Sequence, residues 1–177
     1  MNLLEALRGG AALELPLVYS RDAVVFPKTI APLLAATKFA NAAVDEGLRG
    51  DKRVAVALLK GVGDDRGAEI EVHPVGVVAR IVQQVKLPDG SSRLLVEGEA
   101  RIRIKRTIFR RDHLSASVET IADDTPESSG QDGTDPVGIA KRLVKRSFAQ
   151  YAELAKKVPA ETLAASDRTE SAHELCD

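Results

Sequence analysis

From residue 13 to residue 122 the chain is written in short apolar runs of period two, interrupted by Pro, Gly and Asp-Gly. Only one segment, AATKFANAAVDEGL (35–48), has helical character. That pattern restricts this half to many short strands around one helix, an α+β barrel or sandwich leaning to all-β. LELPLVY (13–19) alternates, and its Pro16 suits an edge or a strand start. SRDAVVFPK (20–28) reads as a turn and an apolar run stopped at Pro27, and TIAPLL (29–34) as a further extended run. RVAVALLK (53–60) is continuously apolar and predicts a central strand. IEVHPVGVVARIVQQVKL (70–87) holds one or two strands with a break near His73-Pro74-Val75-Gly76, and LPDGSS (87–92) is a hairpin turn with Asp89-Gly90 at the positive-φ positions. SRLLVEGEARIRIKRTIF (92–109) predicts a strand bent at Gly98, and LSASVETIA (114–122) alternates again. In the helix, Phe39, Ala43 and Leu48 are expected on one side, with the end at Gly47 or Gly50.

Composition then shifts. DDTPESSGQDGTDP (123–136) is acidic, rich in Gly, Ser and Pro, and reads as a flexible linker. It ends on a helix start, with Asp135 as N-cap and Pro136 in the first turn. VGIAKRLVKRSFAQYAELAKK (137–157) carries an apolar face of Ile139, Leu143, Val144, Phe148 and Tyr151. Its Lys141, Arg142, Lys145 and Arg146 are expected to be solvated. PAETLAAS (159–166) is a second helix, and ESAHELCD (170–177) begins a third without a stop signal, so truncation of something longer is expected. The division is a lead (1–12), a β domain (13–122), the linker (123–136) and a helical subdomain (137–177).

Charge narrows function. Twenty-five Lys and Arg face 26 Asp and Glu, and aromatics are 3% with no Trp, so a basic or base-stacking nucleic-acid binder is disfavoured. The one cysteine, Cys176, allows no internal disulfide, and no apolar run is long enough to span a bilayer. A cytoplasmic location is the default. His73, His113 and His173 lack metal-ligand spacing, and GVGDDRG (61–67) lacks the Lys-Ser/Thr of a phosphate loop. No catalytic residue, metal or cofactor is expected. Arg101, Arg103 and Lys105 alternate with Ile102 and Ile104, which is a basic face if this is a strand. The plainer reading is a solvated strand whose long side chains cover apolar surface.

Four stretches taken together, LPLVYSRDAVVFPKTIAPLL (15–34), GDKRVAVALLK (50–60), VGVVARIVQQVKLPDGSSRLLVEGEARIRI (75–104) and KRSFAQYAELAKKVPAETLAAS (145–166), resemble the N-terminal region of the ATP-dependent Lon protease family. The resemblance implies a mainly antiparallel, PUA-like β pseudo-barrel followed by a small helical subdomain. It implies non-catalytic recognition of unfolded or damaged protein, and assembly of a homo-oligomer with ATPase and protease modules that lie outside this chain. A stand-alone adaptor of the same fold, or a PUA-like RNA-binding module using Arg101, Arg103 and Lys105, are the alternatives. Recognition of unfolded chains needs small exposed apolar patches. Candidates are Phe26 and Pro27 in the VVFPK turn, Phe39 on the helix, and Leu87 and Pro88 at the hairpin tip. For Phe26 and Phe39 a place in the core is the plainer expectation. Where the family helix carries charged residues and an apolar one near position 41, this chain has TKFANAA, with Asn41.

Overall fold

A computed structural model describes residues 13–61, 70–121 and 135–176. The lead, the GVGDDRG loop beyond Gly61 and nearly all of the acidic linker fall outside the described residues. The chain divides into two compact units, Met1–Ala122 and Asp123–Asp177.

In the first unit the strands are β1 (Leu13–Ser20), β2 (Ile30–Ala35), β3 (Arg53–Leu59), β4 (Val72–Lys86), β5 (Ser92–Phe109) and β6 (Leu114–Thr120), with helix α1 (Lys38–Arg49) between β2 and β3. Their order is β2-β5-β4-β3-β1-β6, and β6 pairs back onto β5. Five strands therefore close a barrel, while β2 extends the sheet from the first half of β5. β1 and β3 run parallel, and every other pairing is antiparallel.

Two cores share these strands. Leu15, Leu17, Tyr19, Ala55, Ile102 and Val118 belong to the barrel interior. Val18, Leu33, Val44, Val54, Leu94 and Val96 belong to a second core under α1. β3 feeds both, Ala55 and Ala57 inward and Val54 and Val56 toward α1, which is why its sequence is apolar without alternation. Pro16 sits in the part of β1 that pairs only with β6, since β3 takes up pairing from Leu17, so Pro16 is locally at an edge within an internal strand.

Several expectations are corrected. β4 is one unbroken strand. The Pro74-Gly76 signal marks a register irregularity against β3 between Ala57 and Leu59, not a break. Gly90 has φ 83°, but Asp89 has no positive φ; its carboxylate instead accepts from the Ser91 N–H at 2.9 Å and the Ser91 hydroxyl at 2.6 Å. The buried face of α1 is Ala40, Ala43, Val44 and Gly47, at helical spacing i, i+3, i+4, i+7. Phe39 lies at the margin of that face, about 40° round the helix from Ala43. Asn41 ties the first turn of α1 back to the end of β2, its amide donating to the carbonyls of Ala35 (3.0 Å) and Thr37 (2.9 Å). The small residues let α1 lie close on the sheet, and the amide fixes its start.

The bend at Gly98 is a bulge. Val78 pairs with Ala100 and Ala79 with Gly98, so Glu99 is the extra residue. Leu94 and Val96 join the core under α1, whereas Ile102 and Ile104 join the barrel interior, although all four are even-numbered. One inserted residue reverses which face the strand presents.

The second unit holds α2 (Pro136–Ala155), α3 (Ala160–Arg168) and α4 (Ala172–Cys176). Asp135 caps α2, accepting from the N–H groups of Val137 (3.1 Å) and Gly138 (3.0 Å). Of the basic residues expected to be solvated, Arg142 and Arg146 are exposed, while Lys141 and Lys145 are partly covered and bridge within the helical unit. Lys141 donates to the Glu170 carbonyl and Lys145 to the Asp167 carbonyl, each at 2.7 Å, and only Ala152 of α2 is buried. The ammoniums suit carbonyls at and beyond the C-terminal end of α3, and the aliphatic stems cover the contact. The apolar face of Ile139, Leu143, Val144 and Tyr151 is left exposed.

Candidate functional site

Phe26 and Pro27 lie in the turn between β1 and β2, which docks on the bulge of β5. Lys28 N–H donates to the Gly98 carbonyl at 2.8 Å, and Gly98 N–H donates to the Thr29 carbonyl at 2.9 Å. The Thr29 hydroxyl closes the turn on the Phe26 carbonyl at 2.8 Å. Phe26 is not core: it is 37% exposed, while Val25 is 5% exposed and enters the core under α1. Neighbouring residues of an extended segment point opposite ways, so only one of the two can be buried, and the smaller one is.

Leu87 and Pro88 form the β4–β5 hairpin tip, Leu87 half-buried and Pro88 exposed. The tip is held by Leu87 N–H to the Ser91 carbonyl at 2.8 Å. Phe39 is also not core. It is half-buried and meets Phe109 edge-on, centroids 5.3 Å apart, at the far end of β5. The structure thus brings Phe26–Pro27 and Leu87–Pro88 to opposite ends of the first half of β5, roughly 20 Å apart at strand rise, and leaves Phe39 elsewhere.

Between those ends lies a surface that the sequence reading did not single out. Outward-facing partners across β2, β5 and β4 are Pro32, Leu95 and Gln83 in one row and Leu34, Arg93 and Val85 in the next. Residues opposite each other in adjacent strands share a face. Ile30 is 62% exposed, Leu34 54%, and Val82 and Val85 48% each. A shallow hollow of about 170 Å³ is lined by Pro32, Gln83, Val85, Arg93 and Leu95, with the edge of Leu94. The row Ile30, Glu97, Arg80 bounds the strip with an ion pair between Arg80 and Glu97. The available signal was the alternation of Ile30, Pro32 and Leu34 within IAPLLA. Its inward partners Leu33 and Ala35 masked it by making the whole run apolar.

Arg101, Arg103 and Lys105 lie on β5 beyond the bulge. Lys105 pairs with Glu119 at 2.5 Å, and Arg103 is opposite Glu119 in register. The Glu119 carboxyl is held below its ordinary value, mainly by the Lys105 hydrogen bond and then by the charges of Lys105 and Arg103. Much of this basic face is therefore answered by an acid of the neighbouring strand.

At the β5–β6 end, His113 Nδ1 is 2.9 Å from Asp112 and its Nε2 is 3.3 Å from the Ser115 hydroxyl. The spacing resembles a nucleophile relay. However, Ser115 is 4% exposed, and alongside Arg110 it helps hold below its ordinary value the Glu14 carboxyl, a nearby carboxylate that would oppose a developing oxyanion. Glu14 is gripped by Arg110, Nε at 2.7 Å and Nη2 at 2.5 Å. This cluster joins β1 to the β5–β6 turn. Among the described residues no group of His, Cys, Asp and Glu is arranged to hold a metal.

The cluster predicts a pH dependence. The Arg110 hydrogen bond, above all, holds the Glu14 carboxyl below its ordinary 4.5. A depressed carboxyl contributes stability above its unfolded value and loses it as pH falls through the folded one. In thermal melts between about pH 5 and pH 3, Glu14→Gln loses less stability than the parent chain. Parallel pH profiles for the two would contradict this.

Known proteins agree with this geometry. A family model described as the ATP-dependent protease La (LON) substrate-binding domain matches residues 14–177. Lon protease 1 of Syntrophobacter fumaroxidans is 32% identical over 169 residues, covering 96% of this chain and 20% of that protein. Lon protease of Buchnera aphidicola subsp. Schizaphis graminum is 30% identical over 165 residues, covering 93% and 20%. This chain thus spans about a fifth of the length of the curated relatives it matches. Among solved structures, the N-terminal domain of a Mycobacterium avium complex Lon protease superposes with TM-score 0.70 at 20% identity, over 93% of this chain and 80% of that one. A Lon N-terminal domain protein from Xanthomonas campestris superposes with TM-score 0.52 at 19% identity, over 93% and 95%.

Proposed function

This chain belongs to the LON substrate-binding domain family, of which it is a non-catalytic domain, and we propose that it holds unfolded or damaged polypeptides for ATPase and protease modules outside these residues. The observation that carries the reading is the largely apolar surface of exposed Ile30, Pro32, Leu34 and Val85 around half-buried Leu95, broken by Gln83 and Arg93. Clustered exposed apolar side chains rimmed by polar ones are the kind of surface that binds other proteins. Phe26 and Pro27 at one end and Leu87 and Pro88 at the other extend the strip, while Phe39 is left out of it.

The strip is shallow and open, so it takes apolar side chains of many shapes and none tightly. Each contact is weak. Assembly of several copies, which belongs to the same proposal, raises avidity by ~10²–10⁴ through effective concentration. Work on cytoplasmic clients is part of the proposal too. No helix among the described residues is long and apolar enough to cross a membrane.

The isolated chain is expected to bind a permanently unfolded, reduced and carboxymethylated protein at about micromolar affinity or weaker. The double substitution Leu34→Asp, Val85→Asp, at exposed positions, weakens binding about tenfold or more, a loss of about 1.4 kcal/mol. Charge reversal at Arg103 leaves it unchanged. Fluorescence anisotropy measures both. Nanomolar one-to-one binding, or a loss with Arg103→Glu and none with the double variant, would sink the reading.

A further inference from the structure

We propose that the edge of β2 takes a client as an added β-strand, so that the bound segment is extended and engaged through its main chain; this rests on the client-binding reading above. β2 is the terminal strand of the sheet order. The phase of its ladder follows from Gly98 N–H donating to the Thr29 carbonyl. With the register Ile30–Glu97 to Ala35–Ser92, hydrogen-bonded pairs fall at Ala31, Leu33 and Ala35. The main-chain groups of Ile30, Pro32 and Leu34 then face away from β5, along the edge. Pro32 agrees independently: it has no N–H, and this phase places it where β5 asks for none.

The edge offers N–H and C=O at Ile30 and Leu34 and a C=O at Pro32. Pro32 therefore blunts the edge against indiscriminate pairing while leaving acceptors and donors on either side. Space exists beside it. A hollow of about 300 Å³ separates the end of β1 from the end of β2, lined by Tyr19, Ser20, Asp22, Leu34, Ala36 and Thr37 among others. In an antiparallel added strand, the residues opposite Ile30, Pro32 and Leu34 would share the face of the strip. Apolar side chains at alternate positions would continue the rows that run through Leu95 and Val85. The occupant this fits is an unfolded segment of alternating apolar residues, the kind a folded protein hides in its own sheets.

The test leaves the protein unaltered. A short peptide alternating valine and threonine is titrated into the isotope-labelled chain, followed by amide shifts and amide exchange. Two further peptides carry N-methyl groups on every valine or on every threonine. Binding is expected to slow exchange at the Ile30 and Leu34 amides. Methylation of one alternate set should abolish binding, by tenfold or more, and the other should be tolerated. Loss with the valine set marks an antiparallel client, and loss with the threonine set a parallel one. If both methylated peptides bind like the parent, or weaken equally, strand addition is overturned while client binding stands. If the unmethylated peptide does not perturb β2, β4 or β5, the underlying reading falls with it.

Discussion

Gly98→Ala lowers the stability of the β unit by about 2–3 kcal/mol, the range of a forced overpacking in a filled site, and loosens the turn that carries Phe26 and Pro27. Gly98 is buried, and both of its main-chain groups are engaged by that turn. A Cβ built there would overlap the Phe26 carbonyl oxygen, lie 2.9 Å from its carbonyl carbon and 3.3 Å from Pro27 Cα. The obstacle is backbone on both counts, so no side chain can swing aside. Relief must come from moving the turn, which stretches the Lys28–Gly98 and Gly98–Thr29 hydrogen bonds, each worth about 1 kcal/mol. Gly90→Ala is the matched control. Nothing lies near its Cβ, but φ is 83°, so its penalty is the backbone term alone, about 1–2 kcal/mol. Urea denaturation ranks the two variants, and exchange of the Lys28 amide reports the turn. If Gly98→Ala is as stable as the parent, the close docking of the turn on β5 is wrong.

That glycine shows where sequence reading succeeds and stops. A Gly inside an alternating strand announces a bend, and a bulge is what the chain builds at Gly98. What approaches the glycine is a turn about seventy positions earlier, and no local pattern encodes that distance. The same limit governs the rest. Strand runs, the Leu87–Ser92 hairpin and the Asp135 cap are local chemistry and were legible. The Lon-type resemblance supplied the pseudo-barrel, but the pairing of β1 with β6, Leu13 opposite Val118, joins strands about a hundred positions apart and has no local signal. For Phe26 a place in the core was the plainer expectation, yet it is 37% exposed. The burial goes to Val25 because the turn is pinned at Lys28 and Thr29. Lys141 and Lys145 look solvated by residue type, yet their positions on α2 face the helices it packs against. The strip on β2, β5 and β4 hid for a related reason. A strand whose buried and exposed faces are both apolar shows no alternation in hydrophobicity, so its exposed side cannot be picked out without the register.

Leu17→Ala is expected to lower the stability of the β unit by about 3–5 kcal/mol and to do so in both cores at once. Leu17 has no exposed surface and sits in the barrel interior; the next residue, Val18, is 1% exposed and sits under α1. β1, β3, β4 and β5 each send residues to the two sides, so the cores are opposite faces of one backbone. A cavity in the barrel therefore cannot be accommodated by opening the barrel alone, because the strands that would separate are the floor on which α1 rests. Apart from β2, which supplies Leu33 and Ala35, the second core has no strand of its own with which to survive. The consequence is measurable by native-state amide exchange. In Leu17→Ala, protection of the Val44 amide in α1 and of the Val118 amide in β6 should fall by the same free energy. Tyr19 emission gives a second probe: its ring is in the barrel core and its hydroxyl lies 2.8 Å from that of Thr37, the N-cap of α1. With Tyr151→Phe to silence the other tyrosine, its urea transition should coincide with the exchange-derived stability. A variant in which Val118 loses protection while Val44 keeps it would mean that the two cores fold separately, and the shared-strand account of the fold would fail.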